Sequence, residues 1–293
     1  MTLEPFLNIL PILVVTLAGY LMGRWTTLDA KTLATFAADV FIPALMFISM
    51  ATTDLDTSLI SSLIGSSIFI TAALLLVAFI WAKLAKQEAS KTVPSLVFMN
   101  SGFLAIPLMK LYGGALGMNN IVIFDFSQSF AMFTIGVFII TGGFHASSIK
   151  AAFSTPIIWA TVLGLTVRAI GLPIPESIGR IFHYAGEGGP ALATFALGVS
   201  LKEFKPTFSK EIISALAVRF IGGFLIGLLA SHLFALEGMA KVLVTVTSAL
   251  PSAVFTSVLP IRHNKDAHFA TTMVILSTLL GIITIPISFA LLG

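Results

Sequence analysis

Apolar stretches of about twenty residues recur along the whole chain, separated by short polar connections, and each can cross a hydrocarbon layer roughly 30 Å thick. No other feature restricts the fold so tightly. With 57% of its 293 residues apolar and only 10% charged, and a mean hydropathy of +1.03, most of the surface must face lipid. No segment remains from which to build a soluble domain. The expectation is an all-α polytopic membrane protein.

Hydropathy and punctuation place spans near 5–23, 31–51, 58–82, 93–112, 119–142, 154–171, 177–200, 209–234, 238–260 and 267–292. The first reads as a span and not as a signal peptide, because Glu4 stands where a basic leader would begin. With ten spans, one side collects Arg24, Lys31, Lys83, Lys86, Lys91, Lys150, Lys202, Lys205, Lys210, Arg262 and Lys265. The other has Lys110, Arg168, Arg180 and Lys241. Positive-inside bias then puts both termini outside a plasma membrane, the inner membrane in a bacterial cell. The pair Asp54 and Asp56 reads as a solvated outer loop.

The pI of about 9.2 does not point to nucleic acid, since the cations are scattered over loops and report topology. The absence of cysteine excludes disulfides, thiolate metal sites and cysteine nucleophiles. His145, His183, His232, His263 and His268 lie mostly near span ends with no metal-ligand spacing. No metal site and no cofactor are expected.

Pro43-Ala44-Leu45 in the second span returns as Pro190-Ala191-Leu192 in the seventh, an offset of 147 residues, and Gly136 and Gly281 sit at a similar offset of 145. Two halves of five spans, 1–147 and 148–293, are the economical explanation. An odd number of spans per half makes the second copy enter from the opposite side, so the repeats are inverted. That architecture belongs mainly to secondary transporters.

The fourth span places Asn100, Ser101, Gly102 and Pro107 within eight residues, and the ninth wraps Pro251 in hydroxyls that include Ser248 and Ser252. Proline removes a main-chain donor and clashes with the preceding turn. Either break alone would read as a packing kink. Interruptions in the fourth span of both halves suggest a polar occupant, and half-helix N-termini suit a carboxylate better than a bare cation.

The pattern from Leu10-Pro11 to Gly19-Tyr20-Leu21, the stretch Phe41 to Phe47, the break from Asn100 to Pro107 followed by Tyr112-Gly113, and Ala249-Leu250-Pro251 together resemble the auxin efflux carrier family, over essentially the whole chain. The resemblance implies a scaffold of spans one, two, six and seven that can pair two copies of the chain. Spans three to five and eight to ten would form a moving, elevator-like transport domain in which helices four and nine cross at their broken centres. Bacterial members are associated with organic acids such as malate or malonate, and plant members with auxin. Bile-acid sodium symporters are similar in architecture, but their sodium site uses a glutamate in the ninth span, and Val242 to Pro260 holds no carboxylate.

Charged groups inside the spans are expensive and mark function or pairing. Arg219 reads either as a positive anchor for a substrate carboxylate or as half of an ion pair. Asp125, beside Ser127, Gln128 and Ser129, reads as a coupling or recognition group or as the partner of Arg219. Asp39 and Glu187, just before Pro43 and Pro190, read as buried, protonatable carboxylates. Expected substrate-binding residues are thus Asn100, Ser101, Gly102, Pro107, Arg219, Ser248, Pro251 and Ser252, with Asp125, Asp39 and Glu187 for ion coupling.

A membrane enzyme lacks H-E-x-x-H, G-x-S-x-G and closely spaced in-span aspartates here, and a channel lacks an obvious filter. Without nucleotide-binding loops, gradients must drive the work. The expectation is a secondary carrier of a small organic anion, driven by protons or membrane potential. Sodium coupling is the first alternative, and an enzyme or channel the alternative of another class.

Overall fold

The computed structural model describes residues 4–52, 56–142, 154, 156–203 and 208–292; Asp54, His145, Lys150 and Lys205 lie outside them. The described residues form helices α1 (Glu4–Trp25), α2 (Ala30–Ala51), α3 (Thr57–Leu84), α4 (Ala89–Val97), α5 (Ser101–Thr141) and α6 (Pro156–Ala169). α7 (Glu176–Ser200), α8 (Lys210–Leu233), α9 (Gly238–Ser248), α10 (Phe255–Arg262) and α11 (His268–Ala290) complete the chain. Among the described residues the only extended pairing is one antiparallel bridge, Met99 to Ser252. Helix is what a chain in lipid needs, since it satisfies nearly every main-chain group internally.

By length and composition α2, α3, α5, α8 and α11 can each cross a membrane, and α6 and α9 are shorter apolar helices. α5 is too long for one crossing and does not run straight. At Gly114 the backbone turns to φ 56°, ψ −138°, a region open to glycine and almost closed to other residues. The bend separates a first segment that starts at Ser101 from a second that carries Asp125.

Packing divides the helices into two groups. α7 lies along α1 and α2, and α2 lies along α6. α3 packs on α4, α5 and α8, while α9 packs on α8 and α5 and α11 on α4 and α10. Small residues set the closest seam: a Cβ at Gly19 would strike the carbonyl of Phe195, and one at Gly198 the carbonyl of Thr16. Such close approach of backbones is how helices associate without a hydrophobic drive between them.

Asp39 and Glu187 were expected to be buried. Both side chains are exposed, because α2 and α7 turn their small and apolar faces to each other, Gly186 and Gly189 meeting Leu45 and Ile42. The carboxylates point away from that seam.

Candidate functional site

The helical path breaks twice, at Phe98–Asn100 between α4 and α5 and at Ala249–Val254 between α9 and α10. The two breaks cross. Asn100 N–H donates to the Pro251 carbonyl at 2.8 Å, and Ala253 N–H donates to the Phe98 carbonyl at 2.8 Å. Each break thus supplies the other with main-chain partners that neither finds in its own helix. Pro107 is not at the break: it lies buried one turn inside α5.

The C-terminal carbonyls of α4 are fully accounted for. Ser95 accepts from Ser252 Oγ at 2.6 Å, and Arg219 Nη1 donates to Leu96 at 2.7 Å and to Val97 at 2.8 Å. Arg219 Nη2 donates to the carbonyl of Ser248 at the end of α9. One guanidinium therefore joins the negative ends of both half-helices, where cations are favoured. It reaches them from a π-helical turn of α8, Val218–Gly222. Gly223 lets α8 come close, since a Cβ there would meet Ser248 and Arg219 itself.

Arg219 is completely buried and takes backbone carbonyls rather than a carboxylate as its partners. The pairing with Asp125 weighed from the sequence is not formed. The polar groups of the second break are likewise engaged: Ser248 Oγ donates to Val244 at 2.6 Å, and Ser252 N–H donates to Ser277 Oγ of α11 at 3.0 Å.

The N-terminal ends present a different face. A cavity of about 30 Å³ is lined by residues 98–103 of the first break, Ala253, Val254 and Phe255 of the second, and Asp125, Gln128 and Ser129 of α5. Its size holds about one water. Ile42 of α2 and Ile157 of α6 contribute its far wall. Asn100 caps α5, its Oδ1 accepting from Phe103 N–H at 3.2 Å. Ser101 Oγ donates to one oxygen of Asp125 at 2.5 Å, and Ser129 Oγ donates to the other at 3.3 Å.

Two polar atoms on this cavity are buried without a partner, the donor Asn100 Nδ2 and the acceptor Gln128 Oε1. Native interiors rarely leave such groups alone. Gln128 is held in place by its amide nitrogen, which donates to Thr71 Oγ1 at 2.8 Å.

Of the residues expected from the sequence, Asn100, Ser101, Gly102 and Asp125 converge on the cavity. Ser248, Pro251, Ser252 and Arg219 hold the crossing together and do not line it; Asp39 and Glu187 are elsewhere. Gln128 and Ser129 were visible only as neighbours of Asp125, one helical turn on. Val254 and Phe255 carried no signal, being ordinary apolar residues after a proline.

Similar proteins are named as transporters. The chain is 27% identical over 290 residues to an uncharacterized transporter of Methanothermobacter thermautotrophicus, covering 96% of each chain. It is 24% identical over 306 residues to the uncharacterized transporter YfdV of Escherichia coli, covering 96% of this chain and 95% of that one. An uncharacterized transporter of Methanocaldococcus jannaschii is 23% identical, over 95% of this chain and 96% of its own. The profile of the membrane transport protein family matches residues 6–150 and 144–289. The chain therefore belongs to the membrane transport protein family, that of the auxin efflux carriers.

Proposed function

We propose that this protein is a secondary carrier of a small organic anion, a mono- or dicarboxylate, working by alternating access across a plasma membrane. The observation that carries this reading is the crossing itself: two broken helices bridged by Asn100 and Pro251, with positive helix ends and an unpartnered buried donor facing one cavity. Oriented N–H groups at a helix end are an anion site in many folds.

In this reading ten segments cross the membrane. They are α1, α2, α3, α4 with the first part of α5, the rest of α5, α6, α7, α8, α9 with α10, and α11. Residues 1–147 and 148–293 are inverted repeats, and both termini lie outside. A matched pair of glycines supports the symmetry. A Cβ at Gly136 would lie 2.9 Å from the Phe98 ring, and one at Gly281 would lie 2.9 Å from Pro251. Each glycine admits the broken segment of its own half.

The group α1, α2, α6 and α7 is the scaffold, and the remaining helices move against it. A groove of about 520 Å³ between α1, α7 and α11 adjoins the crossing through Leu104 and Gly281, with Arg24 and Lys202 in its lining. It is the approach path for the anion, and the small cavity at the crossing is the closed form of the site.

The test is uptake of labelled malate, malonate and indole-3-acetate into liposomes holding the purified protein. Saturable uptake of at least one, abolished in Asn100→Ala, is expected. If none moves and none shifts the unfolding temperature, the anion-carrier reading fails.

A further inference from the structure

We infer that each anion enters the crossing together with one proton carried on Asp125, because the Asp125 carboxylate already stands at the helix end that the anion needs. This rests on the anion-carrier reading above and deepens it by naming the co-transported ion.

The geometry is specific. Asp125 leaves the second part of α5 and faces the first turn of the same helix across the Gly114 bend. Its carboxylate takes the Ser101 hydroxyl at 2.5 Å, and a Cβ added at Gly102 would lie 3.6 and 3.8 Å from its two oxygens. A Cβ there would be in ordinary van der Waals contact, so the carboxylate lies directly against the first turn of α5. The side chain is 1% exposed.

The other helix end has no such occupant. Among the described residues Asp125, which accepts from the Ser101 and Ser129 hydroxyls, is the only carboxylate on the cavity, and it stands against the start of α5 and not that of α10. Beside it, Asn100 Nδ2 and Gln128 Oε1 are buried and unpartnered, in residues 3% and 2% exposed. A ligand with both an acceptor and a donor satisfies them together. A substrate carboxylate accepts from Asn100, and a proton placed on the pair of carboxylates supplies the donor.

Two carboxylates sharing so small a site cannot both stay ionised. No cation is at hand to relieve them. The cavity wall comes from α2, the α4–α5 connection, α5, α6, the α9–α10 connection and α10, and α3 adds Ser67 and Thr71 beside Gln128; among the described residues that line it Asp125 alone is charged. Arg219, the other charged side chain buried among the described residues, is committed to Leu96, Val97 and Ser248. Asp39 and Glu187 are exposed. The proton therefore sits on Asp125 while the anion is bound. After the anion leaves, Asp125 returns its proton to the side on which the site then opens. A monocarboxylate moves without net charge, and a dianion moves with one negative charge.

The experiment is titration calorimetry of the purified protein with whichever of malate, malonate and indole-3-acetate enters the liposomes, in buffers of different ionisation enthalpy. The expected result is uptake of about one proton per anion and a dissociation constant that rises about tenfold per pH unit wherever the empty carrier is ionised at Asp125. Asp125→Asn is expected to bind with no proton uptake and no slope. Anion binding without proton uptake by the unaltered protein overturns the inference and leaves the carrier reading standing. Proton uptake that persists in Asp125→Asn also overturns it. If no anion binds at all, the carrier reading itself has failed.

Discussion

Arg219 on α8 donates to the Ser248 carbonyl at the end of α9 while its other amino group holds Leu96 and Val97 at the end of α4. A single side chain thus ties together the two chain breaks from the side opposite their N-terminal ends. Removing it leaves three buried carbonyls without a donor. Arg219→Ala is expected to lower stability by about 3–5 kcal/mol, as when one partner of a buried charged network is removed. Arg219→Lys keeps the charge but not the planar fork and should fall between the two. Scanning fluorimetry in detergent measures both. An Arg219→Ala protein that melts with the unaltered one would show that the guanidinium does not hold the crossing.

The seam between α1 and α7 depends on glycines that have no room for a side chain. Gly198→Ala drives a methyl into the carbonyl of Thr16 and should cost about 1–3 kcal/mol through overpacking. Gly222→Ala is the contrast. Its backbone is helical, at φ −60° and ψ −46°, and an added Cβ meets only Val218 at 3.8 Å, so this change should be neutral or stabilise by about 0.4–1 kcal/mol. The same melting assay separates them.

Gly114 isolates the backbone contribution. An added Cβ there touches nothing within 4 Å, yet the residue stands at φ 56° and ψ −138°. Gly114→Ala should therefore lose about 1–3 kcal/mol from strain alone. An alanine variant of unchanged stability would mean that α5 straightens at little cost.

Asp29 makes the start of α2 sensitive to acid. Its carboxylate lies below the usual range because the Thr32 hydroxyl and then the Thr32 amide donate to it. A carboxylate with a depressed pKa stabilises the fold above its unfolded pKa, and that contribution fades as pH falls through the folded value. Hydrogen exchange at Lys31 and Thr32, corrected for intrinsic rate, should quicken as the solution turns acid. In Asp29→Asn, which still caps, the protection should no longer depend on pH.

The local architecture was legible because lipid imposes it. The chain is helical through most of the expected stretches among the described residues, five helices being long and apolar enough to cross a membrane, and the expected breaks at Asn100 and Pro251 are where helix is interrupted. Proline and small polar residues leave a signature wherever main-chain groups lose their partners. What filled the breaks was not legible. Arg219 announced itself as a buried charge, but its carbonyl partners lie 122, 123 and 29 residues away, and nothing in its neighbourhood names them. Asp39 was misplaced for a related reason. Depth along a span can be read from the sequence, but the face a residue presents depends on which helix packs against it. Ser248 and Ser252 were expected to face a ligand, whereas the Ser252 hydroxyl closes the Ser95 carbonyl across the crossing and the Ser248 hydroxyl turns back to Val244 in α9. Hydroxyls near a break are as useful for closing main-chain gaps as for binding.

Protection of a single cysteine tests the central claim most directly. The chain has none, so Val254→Cys, on the wall of the cavity, reports alone, with Thr27→Cys in the exposed connection after α1 as reference. Alkylation by a small permeant thiol reagent would be followed in liposomes with increasing concentrations of the transported anion. The account predicts that the anion slows modification at position 254, saturating at the concentration that half-saturates uptake, and leaves position 27 unaffected. An anion that is transported while position 254 reacts at an undiminished rate would place the binding site away from the crossing.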